Sequence, residues 1–220
     1  MEKNKEPIQQ LTEIRNMMER SSRFMSLSGL SGVSAGITAL IGSVIAMYRL
    51  NPDQKINFSQ YGNEHAFAMF SDSWLFLVTD ALIVLAVALF AGIYFTTRKA
   101  RQKSFNVWDS AAQRMVINLF IPLVTGGFFC LILIYHHLAY LLAPSTLLFY
   151  GLALINASKY TYHEIRVLGI SEIILGLLAA FFAGYGLLFW AFGFGVLHIF
   201  YGLMVYFRYE RKPAVPEDLK

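Results

Sequence analysis

Six strongly apolar stretches separated by short polar segments organise this chain, over roughly 24–50, 74–97, 115–135, 141–158, 167–184 and 187–207. Each approaches the ~20 residues that cross ~30 Å of hydrocarbon at 1.5 Å per residue. A soluble domain of 220 residues has too little core to hide so much continuous apolar sequence. The pattern therefore predicts an all-α integral membrane protein, a six-helix bundle. The fourth and fifth stretches are the shortest, which leaves a five-helix or re-entrant arrangement beside the six-span one.

Outside these stretches the polar positions are also ordered. Ile8, Leu11, Ile14 and Met18 form an apolar stripe, with Glu13, Arg15, Glu19 and Arg20 largely off it. That spacing predicts an amphipathic cytoplasmic helix within 1–23, suited to the headgroups, the bundle surface or a partner. Phe105, Trp108, Ala112 and Met115 predict a shorter interfacial segment, with Asp109 or Ser110 as its amino-terminal cap. The organisation is then a cytoplasmic helix (1–23), a transmembrane domain (24–207) with an external loop (51–73) and a cytoplasmic loop (98–114), and a cytoplasmic tail (208–220).

The second, fourth and sixth stretches each carry Phe-x-Gly-(Ile/Leu), as Phe90–Ile93, Phe149–Leu152 and Phe200–Leu203. Three repeated hairpins would produce this, as would recurrence of common apolar residues. Gly29, Gly32, Gly36, Ala39, Ser43 and Ala46 recur at steps of three and four in the first stretch. Gly176 and Gly202 lie on similar stripes in the fifth and sixth. Lipid supplies no hydrophobic drive between helices, so small residues mark close backbone packing, here either within one chain or between subunits.

Charge then orients the pattern. Of the 18 Lys and Arg residues, only Arg49 and Lys55 lie outside the amino-terminal segment, the second and fourth connections and the tail. Basic residues are retained in the cytoplasm, which places both termini there. The polar start and the lack of a small-residue cleavage site argue against a cleaved signal. Charged residues make up 15% of the chain, against ~25% in soluble domains. The net charge of +4 fits anionic lipid better than nucleic acid, because no aromatic-basic module accompanies it. The single cysteine, Cys130, cannot form an internal disulfide.

The run Glu13-Ile-Arg-Asn-Met-Met-Glu-Arg-Ser-Ser-Arg-Phe-Met-Ser-Leu-Ser-Gly-Leu-Ser-Gly32, with Gly195-Val-Leu-His-Ile-Phe-Tyr-Gly202, resembles a family of uncharacterised bacterial polytopic inner-membrane proteins. The resemblance covers about a third of the chain closely. It implies a multi-pass protein of the bacterial inner membrane and brings no activity, cofactor or site residues.

Three ionisable residues fall at membrane depth: Asp80, Glu172 and His198. Such residues are costly there and usually face protein or water. Glu172 and His198 lie on the small-residue stripes of neighbouring helices, so a contact between them is geometrically open; the alternative is a polar clamp satisfied by hydroxyls. Asp80 either lines an external cavity with His136 and His137 or bonds locally to Thr79 or a neighbouring helix. Adjacent histidines on a helix diverge, and Asp53, Glu64, His65 and Asp72 have no fixed ligand spacing, so no metal site is assigned. Pro144 suits a first helical turn, and Pro122 is expected to kink its helix. Lys159-Tyr-Thr-Tyr-His-Glu164 reads as an interfacial aromatic belt.

No HExxH, GxSxG, phosphate loop or cysteine pair is present, so an enzyme is disfavoured and no cofactor is assigned. The sequence favours a non-enzymatic scaffold or regulatory subunit acting through helix packing, with the lipid bilayer and either a second copy or a membrane protein as partner. The alternative is a small transporter or channel whose polar pathway uses Asp80, Glu172 and His198.

Overall fold

A computed structural model describes residues 27–50, 64–102 and 108–211, so the 1–23 helix lies outside the described residues. Among the described residues six helices follow one another: α1 (Gly29–Leu50), α2 (Glu64–Gln102), α3 (Ser110–Tyr135), α4 (Leu142–Ala157), α5 (His163–Phe181) and α6 (Gly186–Glu210). Short 3₁₀ turns at Ala139–Leu141, Ser158–Tyr160 and Ala183–Tyr185 join the last four. Among the described residues there is no strand. Five helical stretches among the described residues are long and apolar enough to cross a membrane: α1, Ser73–Gln102 of α2, α3, Ala139–Tyr160 around α4, and α6. In α5, Glu164, Arg166 and Glu172 all fall within 19 residues; one face of this helix packs into the bundle through Leu168, Gly169, Glu172, Gly176 and Ala179, and the other, with Ile170, Ile174, Leu177 and Phe181, is apolar and exposed.

Helix ends follow from local chemistry. Asp109 is the residue that caps α3, accepting a hydrogen bond from the Ala112 amide at 2.7 Å. Pro144 sits in the first turn of α4, while α3 runs on helically through Pro122. α2 extends beyond 74–97 at both ends, taking in part of each segment read as a loop. Helix-favouring residues such as Glu64, Ala66 and Met69 before it, and Lys99, Ala100 and Arg101 after it, offer no break in that pattern.

Two glycine-lined crossings hold the bundle. α1 runs antiparallel to α6: a side chain on Gly32 would meet Gly202 and the His198 carbonyl, and Gly29 lies against Gly202 and Tyr206. A Cβ on Gly36 would stand 2.6 Å from the Gly195 carbonyl oxygen and 2.7 Å from Ile199 Cγ1. α4 runs antiparallel to α5 in the same way. A Cβ on Gly151 would stand 2.6 Å from the Gly169 carbonyl oxygen and 2.7 Å from Ile173 Cγ1. Gly176 continues this crossing against Leu148. The equivalence is written in the sequence as Gly169-x-x-Glu-Ile-x-x-Gly176 and Gly195-x-x-His-Ile-x-x-Gly202.

The three Phe-x-Gly motifs, by contrast, occupy unlike surroundings. Gly151 and Gly202 touch neighbouring backbones, whereas nothing lies within 4 Å of a Cβ on Gly92. α2 meets α1 where Val84 and Asp80 face Gly42, and α3 meets α4 where Gly126 faces Phe149. Most of the remaining α2 and α3 surface is apolar and exposed, including Phe90, Ile93, Ile117 and Phe128. That distribution suits a hydrocarbon solvent.

Gly36→Ala and Gly151→Ala should each lower stability in detergent by about 1–3 kcal/mol, because the added methyl meets a fixed backbone carbonyl. Gly92→Ala, in open space, should be neutral or slightly stabilising. Thermal unfolding of the three variants side by side measures the contrast.

Candidate functional site

The interior of the bundle between α4, α5 and α6 contains a polar cluster. Glu172 on α5 is fully buried, at 0% exposure, and His198 on α6 is buried beside it. His198 Nδ1 stands 3.4 Å from Glu172 Oε1 and 3.0 Å from the Gly193 carbonyl oxygen. His198 Nε2 lies 2.8 Å from the Tyr150 hydroxyl on α4. A carbonyl oxygen only accepts, so Nδ1 must donate to Gly193. In a neutral ring Nε2 is then the acceptor, and Tyr150 donates to it.

The backbone of α6 makes this arrangement available. Residues Ala191–Leu197 form a π-helical segment, a wider turn in which the ordinary i to i+4 ladder is interrupted. The Gly193 carbonyl thereby accepts from the imidazole of the residue five positions later. Gly193 is also required for space, since a Cβ there would lie 2.5 Å from Glu172 Oε2 and 2.6 Å from Leu147 Cδ2. Aromatic rings wall the imidazole: Trp190 contacts Phe194, and Phe194 and Tyr150 contact each other and His198 at centroid distances of 5.0–5.8 Å.

Glu172 is the exceptional member. Among the described residues neither carboxyl oxygen accepts a hydrogen bond, and the His198 ring is the nearest counter-group. An isolated carboxylate in such surroundings costs several kcal/mol. Charge balance therefore requires a proton, either on the carboxyl or on the imidazole.

Asp80 does not join this cluster. It is partly exposed on α2, and its carboxylate faces Gly42 across the α1–α2 contact. His136 and His137 close α3. The His137 amide bonds to the Ile134 carbonyl and the Leu138 amide to Leu133, while His137 takes φ 58°. This is the double hydrogen-bond pattern of a helix C-terminus with its turn residue in the left-handed region, a place that favours glycine. Among the described residues no group of three or more His, Cys, Asp or Glu could hold a metal ion.

A second polar cluster at the opposite end of α6 went unseen in the sequence. Glu210 accepts hydrogen bonds from the Gly29 amide at 2.5 Å and from the Ser28 hydroxyl at 3.2 Å, so it caps α1. The buried Lys99 ammonium reaches Glu210 at 3.3 Å, Tyr162 at 3.2 Å and the Leu27 carbonyl at 2.6 Å. Arg208 pairs with Glu164 at 2.8 Å, and Tyr209 donates to the same carboxylate. Tyr162 and Glu164 are thus turned into the protein, a correction to their reading as a headgroup belt. Burial first, and then the charge of Glu210, Tyr209 and Glu164, push the Tyr162 phenol above its usual range. Residues 208–210, read as tail, are the end of α6.

Among the described residues, these observations define an all-helical bundle with five helices of membrane-spanning length and apolarity. No family model, curated protein or solved structure matches the chain.

Glu172→Gln and His198→Gln should be non-additive in unfolding free energy by about 0.5 kcal/mol or more, as expected for residues in one network. A double-mutant cycle measures this, and additive effects would remove the pair. His137→Gly should stabilise the protein by about 1 kcal/mol by relieving the left-handed strain, seen as a higher melting temperature.

Proposed function

We propose that this chain is a non-enzymatic integral membrane protein that works as a scaffold or regulatory subunit through its packed helices. The observation that carries this reading is the filled interior. Glu172, Leu147, Ala153 and Ala179 are wholly inaccessible, and the glycine crossings leave no room for a methyl group. Crossings packed this tightly hold the helices in one arrangement and suit a protein that presents a constant surface.

The same reading has six crossings, with both termini cytoplasmic in a bacterial inner membrane and lipid or a membrane protein as partner. Support comes from the basic residues of alternate connections and from α5 lying antiparallel along both α4 and α6. Cysteine labelling in a Cys130→Ser background tests it. A cysteine at Gly62 should react from outside and one at Lys220 only after permeabilisation.

A second reading, a small transporter or channel, is favoured by the unpartnered Glu172 carboxyl beside His198. Its path would follow α5 and α6, since Asp80 sits on another interface. Reconstituted vesicles decide between the two. The scaffold reading expects no proton or solute flux above empty vesicles. Flux abolished by Glu172→Gln would replace it with transport.

A further inference from the structure

The two repeated motifs have a consequence for the polar cluster. Glu172 and His198 occupy the same place in Gly-x-x-(Glu/His)-Ile-x-x-Gly, each one residue before the isoleucine that packs against a glycine of the partner helix. The α1–α6 and α4–α5 crossings thus set these two side chains against each other, 3.4 Å apart, where the glycine-packed pairs adjoin. Among the described residues, Glu172 is the acid and His198 the base at this junction. From α4 the titratable group is Tyr150, bonded to His198. α1 presents Gly32, Gly36 and Leu40 to α6 and no titratable group. The nearest other charged cluster, Lys99, Glu164, Arg208 and Glu210, is about two turns or more along the helices from Glu172 and His198.

We infer that Glu172 and His198 form a single buried proton-binding site, holding one exchangeable proton between them with Tyr150 as the hydrogen-bond partner that adjusts to it. The inference does not depend on the scaffold reading and holds equally if the protein transports.

Two arrangements balance. In the first, the proton is on the Glu172 carboxyl, the imidazole is neutral, Nδ1–H donates to the Gly193 carbonyl, and Nε2 accepts from Tyr150. In the second, the carboxyl has lost its proton and the ring carries one more at Nε2, the nitrogen that lacked it; because Nδ1, the nitrogen facing Glu172, keeps its own proton, the exchange is not a direct hop across the 3.4 Å contact. Nε2–H then donates to the Tyr150 oxygen, and the Glu172 carboxylate is neutralised by the ring beside it. Both are uncharged overall, so exchange between them moves no net charge into or out of the hydrocarbon. Tyr150 can serve both because a hydroxyl donates and accepts.

A metal cation fits the donors less well. Hard cations take six or more oxygens. Here the Gly193 carbonyl and the Tyr150 hydroxyl are already bonded to His198, which leaves the two Glu172 oxygens. A proton needs no coordination shell. Gly193 completes the site by giving the carboxyl room to approach the ring, since a Cβ would stand 2.5 Å from Oε2.

pH-difference infrared spectroscopy of the full chain in lipid nanodiscs tests this directly. The carboxylic C=O band that Glu172→Gln removes and the ring bands that His198→Gln removes should change together with pH in the unmodified protein. Glu172→Gln should move the His198 midpoint by at least about one pH unit, the mark of coupled titration. His198→Gln reads the same coupling from the carboxyl side, so a folding failure in one variant leaves the other to decide. Gly193→Ala, which keeps both groups but displaces the carboxyl, should reduce the shift. Independent midpoints, or no titration of either band, would overturn the site. A pH midpoint that shifts with sodium concentration would make the ligand a metal cation and would also overturn it.

Discussion

Close approach of helix backbones is the constraint on which the rest of this structure depends. In hydrocarbon, apolar side chains gain nothing by leaving lipid for protein, so helices associate through dispersion, hydrogen bonds and shape. Gly36 against Gly195 and Gly151 against Gly169 bring main chains together where a methyl group would already collide. The Glu172–His198 pair is positioned by those two crossings. Glu172 and His198 each stand next to an isoleucine that fills the partner's glycine notch, so their separation is fixed by packing and not by their own attraction.

Fixed separation explains how a costly group can persist. A buried carboxyl without donors would normally rotate toward water or drag the helix with it. Glu172 has no such escape, because Leu147 and the Gly193 backbone close round it. The π-helical stretch of α6 is the local adjustment that supplies His198 with a carbonyl acceptor while leaving its other nitrogen to Tyr150. Such irregular turns inside helices are tolerated when side chains re-satisfy the displaced backbone groups.

Much of the architecture was legible in the sequence, because the signals for it are local. Apolar runs give spans, steps of three and four give faces, and Asp109 marks a helix start with its own side chain. The small-residue spacing around Glu172 and His198 also showed that both turn toward neighbouring helices. What could not be read is which helix meets which. Glu210 and Gly29 are separated by 181 positions, and no periodicity links them. Nor does sequence show that Tyr150, one of many aromatic residues in apolar surroundings, would be the one to reach His198. Gly193 gave no signal either, since its role depends on a side chain from another helix. The Phe-x-Gly motifs do not reveal contacts either, for the converse reason. The shared Phe-x-Gly at Gly92 and Gly202 says nothing about whether a neighbour is there.

The bond between Glu210 and the start of α1 bears on the order of assembly. A chain made from its amino terminus releases α1 first, yet the groups that complete that helix belong to the end of the last one. Until then α1 can pair with α2 alone, and its glycine face must wait in lipid. Closure of the bundle is thus a late, long-range event, slow in the way that contacts distant in sequence are slow. During that interval, the exposed glycine face of α1 is open to capture by another helix.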